Sequence, residues 1–488
     1  MPSSIAAKAP VPLEQLDAYT WRIPQEPPMR VPGMVFASRT IMEAIVADES
    51  LLQVRNVACL PGIVRYSIAM PDIHQGYGFP IGGVAATRLK DGVISPGGVG
   101  YDINCGVRLV ATDLEAEALQ KDLATLADNL FATIPAGVGA QGAIRKPSSK
   151  EFDRLLTRGA SWAVEHGYGH AEDLDYIEEG GCLEGADPDR VSRSARDRGI
   201  GQVGTLGSGN HFVEVQRVER IHDPRLAEGL GLFEGQVVYT VHSGSRGFGH
   251  QTCTDYIRQM HQAMHRYHIQ LPDRQLACAP LDSDEGRAYF AAMKCAANYA
   301  WVNRQVMMYL AELAFQRTLH IGPRQLGRRL IYDVCHNIAK IEQYPIDGRM
   351  EQVCVHRKGA TRAMPPGHPL TPEAYKEVGQ PVLIPGDMGR ASYVLVGTQR
   401  AVEESFGSSC HGAGRRLSRR AAKAKVNARE LVDRLAARGI QVRARGMRTL
   451  SEEAPEAYKD VSEVVAVMEG AGLSRIVARL APMAVVKG

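Results

Sequence analysis

Glycine-rich corners interrupt the short apolar runs of this sequence and carry many of its reactive side chains. The corners are GYGFPIGG (76–83), SPGGVGYDINCG (95–106), GTLGSGNH (204–211), HSGSRGFGH (242–250) and PGDMG (385–389). Glycine allows positive φ angles and a close approach of the backbone to another group. Tight turns in an ordinary scaffold would explain one such corner, but five corners with polar residues predict a functional site built from loops.

The apolar runs between these corners predict the secondary structure. Runs rich in β-branched residues predict strands at 64–70, 107–112, 211–215, 236–242, 352–356 and 392–396. Helical periodicity is clearest at 114–131, 284–318 and 415–438. We therefore expect an α+β (mixed α/β) fold in which central β-sheets are flanked by helices.

Two segments differ from the rest in composition. Residues 1–50 are Pro-rich and then amphipathic, which predicts an N-terminal extension packed on the core. Residues 176–198 are polar and rich in turn-forming residues, which predicts a surface excursion. The length of 488 residues alone favours roughly three domains of about 150 residues each.

The sequence also bears on the compartment. It contains no run of about 18 apolar residues, and its first residues lack the charged-then-apolar layout of a signal peptide. Nine cysteines stand at irregular spacings without a CxxC pair, which favours a reducing compartment over a disulfide framework. We expect a cytoplasmic protein without membrane association.

The charge of the chain is unevenly distributed. The net charge is only +3, so composition alone does not indicate a nucleic-acid-binding protein. Residues 412–450, however, contain twelve Lys or Arg residues and two acidic residues, and we expect them to form a basic helical segment. Such a segment can neutralise a run of phosphates or can be a solvated helix face, and composition leaves both interpretations open.

Possible metal ligands stand at strand ends or in glycine-rich corners. They are Asp102 and Cys105 in GYDINCGVR, His211 in GSGNHFVEV, His242 in VHSGSRGFGH and His336 in DVCHNIAK. Thiolate, imidazole and carboxylate together suit zinc or manganese better than magnesium, which prefers oxygen ligands. A single histidine beside apolar residues is more often a hydrogen-bonded core residue, so only the convergence of these residues would indicate a metal site.

A possible nucleophile lies in FGSSCHGAGRRLSRR at 406–420. His411 stands in a Gly/Ser-rich turn before an arginine-rich stretch, where an imidazole can attack phosphorus while helix-start amides and Arg415 hold the phosphate oxygens. Phosphate binding without attack is the alternative role. There is no P-loop, and the GxGxxG string at 137–142 lacks the βαβ context of a dinucleotide site.

Several of these segments together resemble the RtcB family of RNA ligases. The matching stretches, in family order from about residue 60 to Lys487-Gly488, are PDIHQGYGFPIGG, GGVGYDINCGVR, GTLGSGNHFVEV, VHSGSRGFGH, YDVCHNIAK, VHRKGATRA, SCHGAGRRLSR and EEAPEAYKDV. Because metal and nucleotide motifs alternate along the chain, the resemblance implies that residues 51–488 form a single large catalytic domain.

The resemblance implies specific roles for the residues in these motifs. Two manganese ions would share Cys105, with Asp102 and His211 completing one site and His242 and His336 the other. GTP would be a co-substrate, and His411 would become covalently guanylated, with Cys105 also a catalytic residue. The implied nucleotide-binding residues are Asn210, His211, Phe212, Val213, Glu214, His336, Asn337, Pro385, Gly386, Asp387, Met388, Ser392, His411, Gly412, Ala413, Gly414, Arg415, Tyr458 and Lys487, and those for RNA are Arg246, Arg419 and Arg420.

One position departs from the family pattern. Family members often have serine where this chain has Asp387 in PGDMG. A carboxylate beside a triphosphate is repulsive unless it meets a metal ion or an arginine, so this position bears on the nucleotide contact.

The activity that the resemblance implies is the joining of an RNA 3′-phosphate or 2′,3′-cyclic phosphate end to a 5′-hydroxyl end, in tRNA splicing or RNA repair. It leaves open whether an archease-like activator takes part. A dinuclear metal phosphoesterase that hydrolyses RNA ends, with His411 only binding phosphate, is the alternative enzyme. A non-catalytic RNA-binding protein is the third interpretation, although it would have no use for converging thiolate, carboxylate and histidines.

Overall fold

The computed structural model describes Ile5 and residues 8–488, and it contains nineteen strands within that part of the chain. The strands are β1 (Glu14–Gln15), β2 (Thr20–Ile23), β3 (Gly33–Phe36), β4 (Ile63–His74), β5 (Ile81–Arg88), β6 (Val93–Ile94), β7 (Gly106–Glu115), β8 (Phe212–Ile221), β9 (Gln236–Ser243), β10 (Ala279–Pro280), β11 (Arg329–Cys335), β12 (Asn337–Ile346), β13 (Arg349–Lys358), β14 (Ala360–Arg362), β15 (Pro381–Ile384), β16 (Ser392–Gly397), β17 (Ser408–Cys410), β18 (Gln441–Ala444) and β19 (Ser474–Lys487).

Sixteen α-helices accompany these strands in the described part of the chain. The helices are α1 (Arg39–Ile45), α2 (Ser50–Val57), α3 (Ala116–Leu119), α4 (Leu123–Thr133), α5 (Ser149–Arg158), α6 (Ala160–Glu165), α7 (Arg193–Gly199), α8 (Pro224–Leu230), α9 (Arg246–Arg266), α10 (Asp284–Leu319), α11 (Pro323–Leu326), α12 (Gln399–Ser405), α13 (Arg419–Lys425), α14 (Ala428–Ala436), α15 (Met447–Glu452) and α16 (Val461–Gly470). The mixed α/β fold expected from the sequence is confirmed.

Two large sheets organise the molecule. One has seven strands in the order β1-β2-β3-β4-β5-β13-β12, and the other follows the path β11-β7-β9-β8-β19-β16-β15 with β18 added beside β19. A large apolar core lies between the second sheet and helices α4, α9 and α10, and a separate core joins the first sheet to α1, α2 and α16. The chain passes from one sheet to the other several times, as a single large domain requires.

The long helix α10 supports the second sheet. The side chain of Ser283 accepts a hydrogen bond from the Gly286 amide, and the acidic residues Asp284 and Glu285 lie in the first turn, where the helix dipole favours negative charge. Its central turns are buried on most sides, so the amphipathic pattern is weak and the helix runs through the core. The helix predicted at 284–318 is confirmed.

The predicted strands are confirmed, but two predicted helices differ in extent. Within 114–131, strand β7 continues to Glu115 and the helical part is divided into α3 and α4, so the prediction is wrong at 114–115 and at the break over 120–122. The 415–438 prediction covers two helices, α13 and α14, separated at Val426 and Asn427. The Asn427 side chain accepts from the Arg429 amide and begins a new helix, as Asn does at an N-cap.

The segments singled out for their composition are folded against the rest of the protein. Residues 14–36 supply strands β1, β2 and β3 of the seven-stranded sheet, and β3 pairs in parallel with β4. Residues 1–4, 6 and 7 of the predicted extension lie outside the described residues. Within 176–198, many side chains are exposed, yet Glu178 is fully buried and pairs with Lys340 on β12.

No helix among the described residues combines the length and the hydropathy that a membrane span needs.

Candidate active site

Neighbouring strands of the second sheet end at one place and bring the predicted metal ligands together. Strand β7 is antiparallel to both β9 and β11, and β8 is antiparallel to β9. The start of β7, the ends of β9 and β11 and the start of β8 therefore lie at the same edge. Cys105 precedes β7, His211 precedes β8, His242 lies near the end of β9, and His336 follows β11.

The side chains at this edge are within ligand distance of one another. The Cys105 Sγ atom is 3.3 Å from Nε2 of His211 and 3.3 Å from Nε2 of His242. The Asp102 carboxylate is 2.8 Å from Nε2 of His211. The ligand atoms of Cys105, His211 and His242 all lie within 4.8 Å of each other, and the His242 and His336 ring centroids are 5.2 Å apart.

Two glycines permit this crowding. A Cβ atom on Gly207 would lie 2.1 Å from Nδ1 of His211, and one on Gly244 would lie 2.4 Å from the Asp102 carboxylate. His211 and Asp102 could avoid such a Cβ atom only by moving out of the cluster. The glycine-rich corners at 204–211 and 242–250 are therefore required for close approach of the backbone.

Buried side chains hold the Cys105 loop from beneath. Arg304 of α10 donates to the carbonyl oxygen of Asn104 at 2.7 Å and to that of Ser243 at 2.9 Å. Its guanidinium forms a fully buried ion pair with Asp333. Because Asn104 adjoins Cys105 and Ser243 adjoins His242, this one side chain fixes two of the converging corners relative to each other.

The protonation of the cluster matches that of a metal site. Burial lowers the pKa of His242 and His336 well below the usual histidine value, and neighbouring histidines add to the effect. Both imidazoles are therefore neutral, which is the ligand form. Burial raises the pKa of the Cys105 thiol, so a bound cation would have to displace its proton.

The free nitrogen atoms of these rings point to the same conclusion. The Nδ1 atoms of His242 and His336 are buried and find no hydrogen-bond partner among the described residues. Burial favours a raised pKa for Asp102, but His211, Cys105 and Arg246 together lower it to about 2, so the carboxylate is ionised. One thiol, two neutral imidazoles and an ionised carboxylate form a donor set that fits a borderline divalent cation.

His411 lies beside the metal cluster and is held by a residue of the other sheet. Its ring centroid is 4.7 Å from that of His336. The Nδ1 atom of His411 is 2.6 Å from Oδ2 of Asp72, a buried residue of β4. The same Asp72 oxygen accepts from the amides of His411 at 3.0 Å and Gly412 at 3.3 Å. The carboxylate therefore selects the tautomer with hydrogen on Nδ1, which leaves Nε2 with a free lone pair.

A single cavity of about 580 Å³ connects His411 with the cluster. Cys105, Asp102, His242, His336 and His411 all line it. Of the predicted nucleotide-binding residues, all but His211 and Val213 line the same cavity. Val213 alternates with its neighbours on β8, so its side chain faces the apolar core on the opposite side of the sheet.

The predicted guanosine end of the cavity contains buried polar groups in fixed positions. Gln216 donates to the Glu214 carboxylate at 2.6 Å and to the Ser392 hydroxyl at 3.0 Å. Burial raises the pKa of Glu214 to about 8. Lys487 donates to the carbonyl oxygen of Gly209, and its ammonium nitrogen lies 5.7 Å from the centroid of the Phe212 ring.

Glu453 organises the other wall of this end. Its carboxylate is 3.2 Å from Arg415, accepts a short hydrogen bond from the Tyr458 hydroxyl and lies 4.0 Å from Lys487. The Arg415 guanidinium also lies over the Tyr458 ring, 5.2 Å from its centroid. The buried Glu453 carboxylate therefore positions Arg415 and Tyr458, which are both predicted nucleotide-binding residues.

Asp387, where family members often have serine, has its negative charge balanced by residues of its own turn. The Asp387 carboxylate accepts from the Gly389 amide at 3.0 Å and lies 3.2 Å from Nε of Arg390. An arginine therefore offsets the negative charge, which is one of the two conditions under which a carboxylate is tolerated near a triphosphate.

The predicted RNA-binding arginines differ in their surroundings. Arg246 is tied to the Gly137 carbonyl at 2.7 Å and to the Thr205 hydroxyl at 3.1 Å, beside the His211 corner. Arg419 lines the cavity and lies near Glu453. Arg420 is exposed at the start of α13. The helix start expected directly after His411 lies further on, because α13 begins only at Arg419.

Comparison with known proteins gives the relationship of the chain. Residues 53–488 match the family model described as tRNA-splicing ligase RtcB. The chain belongs to the RtcB family. It is 52% identical over 479 residues to the tRNA-splicing ligase RtcB of Thermococcus kodakarensis, which covers 98% of this chain and 99% of that protein.

Other RtcB proteins show a similar level of identity. The tRNA-splicing ligase RtcB of Archaeoglobus fulgidus is 51% identical over 478 residues, covering 98% of this chain and 99% of that protein. The RNA-splicing ligase RtcB of Mycobacterium tuberculosis is 54% identical over 439 residues, covering 90% of this chain and all of that protein. The resemblance found in the sequence is confirmed.

Sequence reasoning missed Lys358 and Glu453, which line the cavity, and Asp72, which contacts His411. Asp72 stands in PDIHQGYGFPIGG, Lys358 in VHRKGATRA and Glu453 in EEAPEAYKDV, all stretches that carried the family resemblance. No spacing rule linked these residues to His411 or Tyr458. The available signal was a charged residue inside the apolar run 68–73 of β4, because a buried charge needs a partner.

Proposed function

We propose that this protein is an RNA ligase that joins an RNA 3′-phosphate or 2′,3′-cyclic phosphate end to a 5′-hydroxyl end, with GTP as co-substrate and manganese as cofactor. The observation that carries the proposal is the shared cavity, in which His411 lies beside a Cys105–His242–His336 cluster. Family membership supports the ligase activity, and the geometry supports the part that each side chain takes.

The donor set supports two metal positions with one shared thiolate. Cys105 would bridge them, Asp102 and His211 would complete one position, and His242 and His336 the other. Bound cations would neutralise phosphate charge and activate an oxygen for displacement at phosphorus. Thiolate with imidazole suits manganese or zinc, and Arg304 would keep the two halves of the ligand set in register through the Asn104 and Ser243 carbonyls.

The first step is formation of a covalent guanylate on His411. With Nδ1–H donated to Asp72, the Nε2 lone pair of His411 attacks the α-phosphorus of GTP. The bond from Nε2 to phosphorus forms, the bond from the α-phosphorus to the bridging oxygen breaks, and pyrophosphate leaves. The Asp72 carboxylate stabilises the positive imidazolium ring that results.

The next two steps transfer this group and seal the RNA. An oxygen of the RNA 3′-phosphate attacks the guanylate phosphorus, the bond to Nε2 breaks, and His411 regains its lone pair. The RNA 5′-hydroxyl then attacks the activated 3′-phosphate, loses its proton and forms the phosphodiester while GMP leaves. A 2′,3′-cyclic phosphate must first be hydrolysed to the 3′-phosphate.

The cavity wall supports separate positions for nucleotide and RNA. Glu214 and Lys487 offer an acceptor for the N1 and N2 hydrogens of guanine and a donor for its carbonyl, with Phe212 beside them. The basic segment 412–450 borders the cavity through Arg416 and Arg419, which suits the RNA phosphates.

Formation of the adduct tests the proposal. Protein incubated with α-labelled GTP and manganese should retain covalent label, and His411→Ala should retain none. The matched control is His265→Ala, which removes an exposed histidine of α9 and should label like the unsubstituted protein. Label that persists in His411→Ala would place the nucleophile elsewhere.

The same experiment addresses the alternative enzyme. A dinuclear phosphoesterase would process RNA ends without GTP and without an adduct. Family membership does not favour this alternative, since the relatives are named as splicing ligases. Ligation of 3′-phosphate and 5′-hydroxyl RNAs that is independent of GTP would contradict our proposal.

A further inference from the structure

The cavity contains aromatic side chains that guanosine recognition leaves unused. Among the described residues, Tyr77 and Tyr101 line it together with Phe212 and Tyr458, but only the latter two belong to the predicted guanosine end. Tyr77 comes from the connection between β4 and β5, and Tyr101 from the corner that precedes β7. Both tyrosines are partly exposed.

These two rings and His250 contact one another in series, and of the three only Tyr77 and Tyr101 line the cavity. The Tyr101 and His250 rings are stacked, with centroids 4.9 Å apart and planes inclined by 27°. The Tyr77 and Tyr101 rings meet edge to face, with centroids 5.6 Å apart. We call Tyr77, Tyr101 and His250 the aromatic platform. No hydrogen bond to a hydroxyl of its tyrosines is present within the described part of the chain.

Hydrogen bonds to the backbone around Tyr77, and packing of both tyrosines against the core, support the aromatic platform. Lys358 donates to the carbonyl oxygen of Tyr77 at 2.6 Å and to that of Phe79 at 3.1 Å. The Gly78 amide donates to the Gln275 side chain at 3.0 Å. Tyr77 and Tyr101 also pack against the apolar core behind them. Rings fixed in this way lose little conformational entropy when a flat ligand stacks on them.

The position of the platform relates it to the chemistry. Tyr101 immediately precedes Asp102 and lines the same cavity as Asp102 and Cys105, so a base stacked on Tyr101 would have its sugar and phosphate near the predicted metal ligands. The exposed Arg198 donates to the side chain of Gln251, the residue that follows His250. A cation beside an aromatic surface is the arrangement that binds a single-stranded nucleic acid, with bases stacked and backbone neutralised.

We propose that the aromatic platform binds the terminal nucleobase of one of the two RNA ends by stacking, and so positions that end beside Asp102 and His411. This inference rests on the proposed RNA-ligase function and adds an RNA subsite to it. Stacking is tolerant of sequence because every base has a flat π face, so the subsite accepts ends of any sequence.

A cycle that pairs protein variants with modified RNA tests the proposal. Tyr101→Leu removes the ring, and an abasic terminal nucleotide removes its partner. One set of RNAs is abasic at the 3′-phosphate end and another at the 5′-hydroxyl end, and each is compared with the intact RNA by fluorescence anisotropy. Tyr101→Phe is the matched control, because it keeps the ring.

We expect the loss of RNA affinity to be the same whether the tyrosine ring, the terminal base or both are removed. Tyr101→Leu should weaken binding of intact RNA about 5- to 150-fold, the range for one base–aromatic stack. The abasic end that uses the platform should weaken binding to the unsubstituted protein to a similar extent, and the combination should be no weaker than either change alone. Tyr101→Phe should bind like the unsubstituted protein. Losses that multiply in both sets of RNAs, or unchanged affinity in Tyr101→Leu, would overturn the proposal.

Two further measurements distinguish failure of the platform proposal from failure of the proposed ligase function or loss of metal. Formation of the His411 adduct without RNA reports the ligase proposal alone, so a missing adduct in the unsubstituted protein refutes that proposal whatever the binding cycle gives. If Tyr101→Leu loses metal because of its neighbour Asp102, Tyr77→Leu is put through the same cycle. Multiplying losses in that variant would equally refute the platform.

Discussion

Replacement of Asp72 by asparagine tests the link between the two sheets at the nucleophile. The Asp72 side chain is fully buried, and its Oδ2 atom accepts from three donors: Nδ1 of His411, the His411 amide and the Gly412 amide. Because two of these donors are backbone amides, the asparagine side chain of the Asp72→Asn variant will turn its oxygen toward them. The nucleophile then keeps its tautomer but loses an ionised acceptor.

The expected magnitude follows from the loss of charge. A hydrogen bond to a charged group contributes about 1.5–3 kcal/mol and a neutral one about 0.5–1.5 kcal/mol, so the difference is roughly 1–2 kcal/mol. The positive charge on His411 develops in the transition state, so this difference appears in the barrier. At about 1.4 kcal/mol for each tenfold change, Asp72→Asn should slow adduct formation about 5- to 30-fold.

Single-turnover labelling with α-labelled GTP at saturating manganese measures this rate. Metal content should stay unchanged, because Asp72 does not contact the cysteine–histidine cluster in the described residues. Asp48→Asn is the matched control, since Asp48 lines the same cavity but accepts from the Ser50 amide instead of His411. An adduct rate equal to that of the unsubstituted protein would refute the role of Asp72. A loss near ten-thousandfold would show that asparagine had turned its amide group toward Nδ1 and reversed the tautomer.

Three further variants address the metal and guanosine ends of the cavity. Cys105→Ala should lose both equivalents of manganese by elemental analysis, with the buried Cys253→Ala as control; retention of two equivalents would contradict the bridging thiolate. Burial raises the pKa of Glu214 to about 8, and guanine binding needs the ionised carboxylate. Guanosine affinity should therefore fall tenfold for each pH unit below about 8. In Glu214→Gln the guanosine affinity should be independent of pH. Asp387→Ser removes a like charge that raises the pKa of Glu214, so the midpoint of that pH profile should move to lower pH; an unmoved midpoint would mean that Asp387 carries no charge there.

The strands were predicted well because strand formation depends on local pattern. Runs of β-branched residues predict strands wherever they occur. The proposed metal ligands lie at or next to the ends of strands. The period of two in β8 places the Val213 side chain on the face opposite Phe212 and Glu214. The break at Asn427 was also visible, because Asn between two helical stretches is a capping residue.

Long-range pairing could not be obtained from local pattern. Asp72 and His411 are 339 residues apart, and no periodicity relates them. The adjacency of β7 with β9 and β11 is a property of strand order, which a single sequence does not encode in any local signal. The motif resemblance indicated that these residues converge, and only the fold gave their contacts.

His336 explains how separate sheets produce one site. It is the single residue between β11 of the eight-stranded sheet and β12 of the seven-stranded sheet, so hydrogen-bonded strands fix the backbone on both of its sides. Its neighbour Asn337 donates to the Asp102 carbonyl at 3.0 Å and accepts from the Gly359 amide at 2.9 Å. The ring of His336 therefore stands between the cysteine cluster and His411 at a distance that the two sheets set. Loops rich in glycine can carry this chemistry because strands determine where those loops begin.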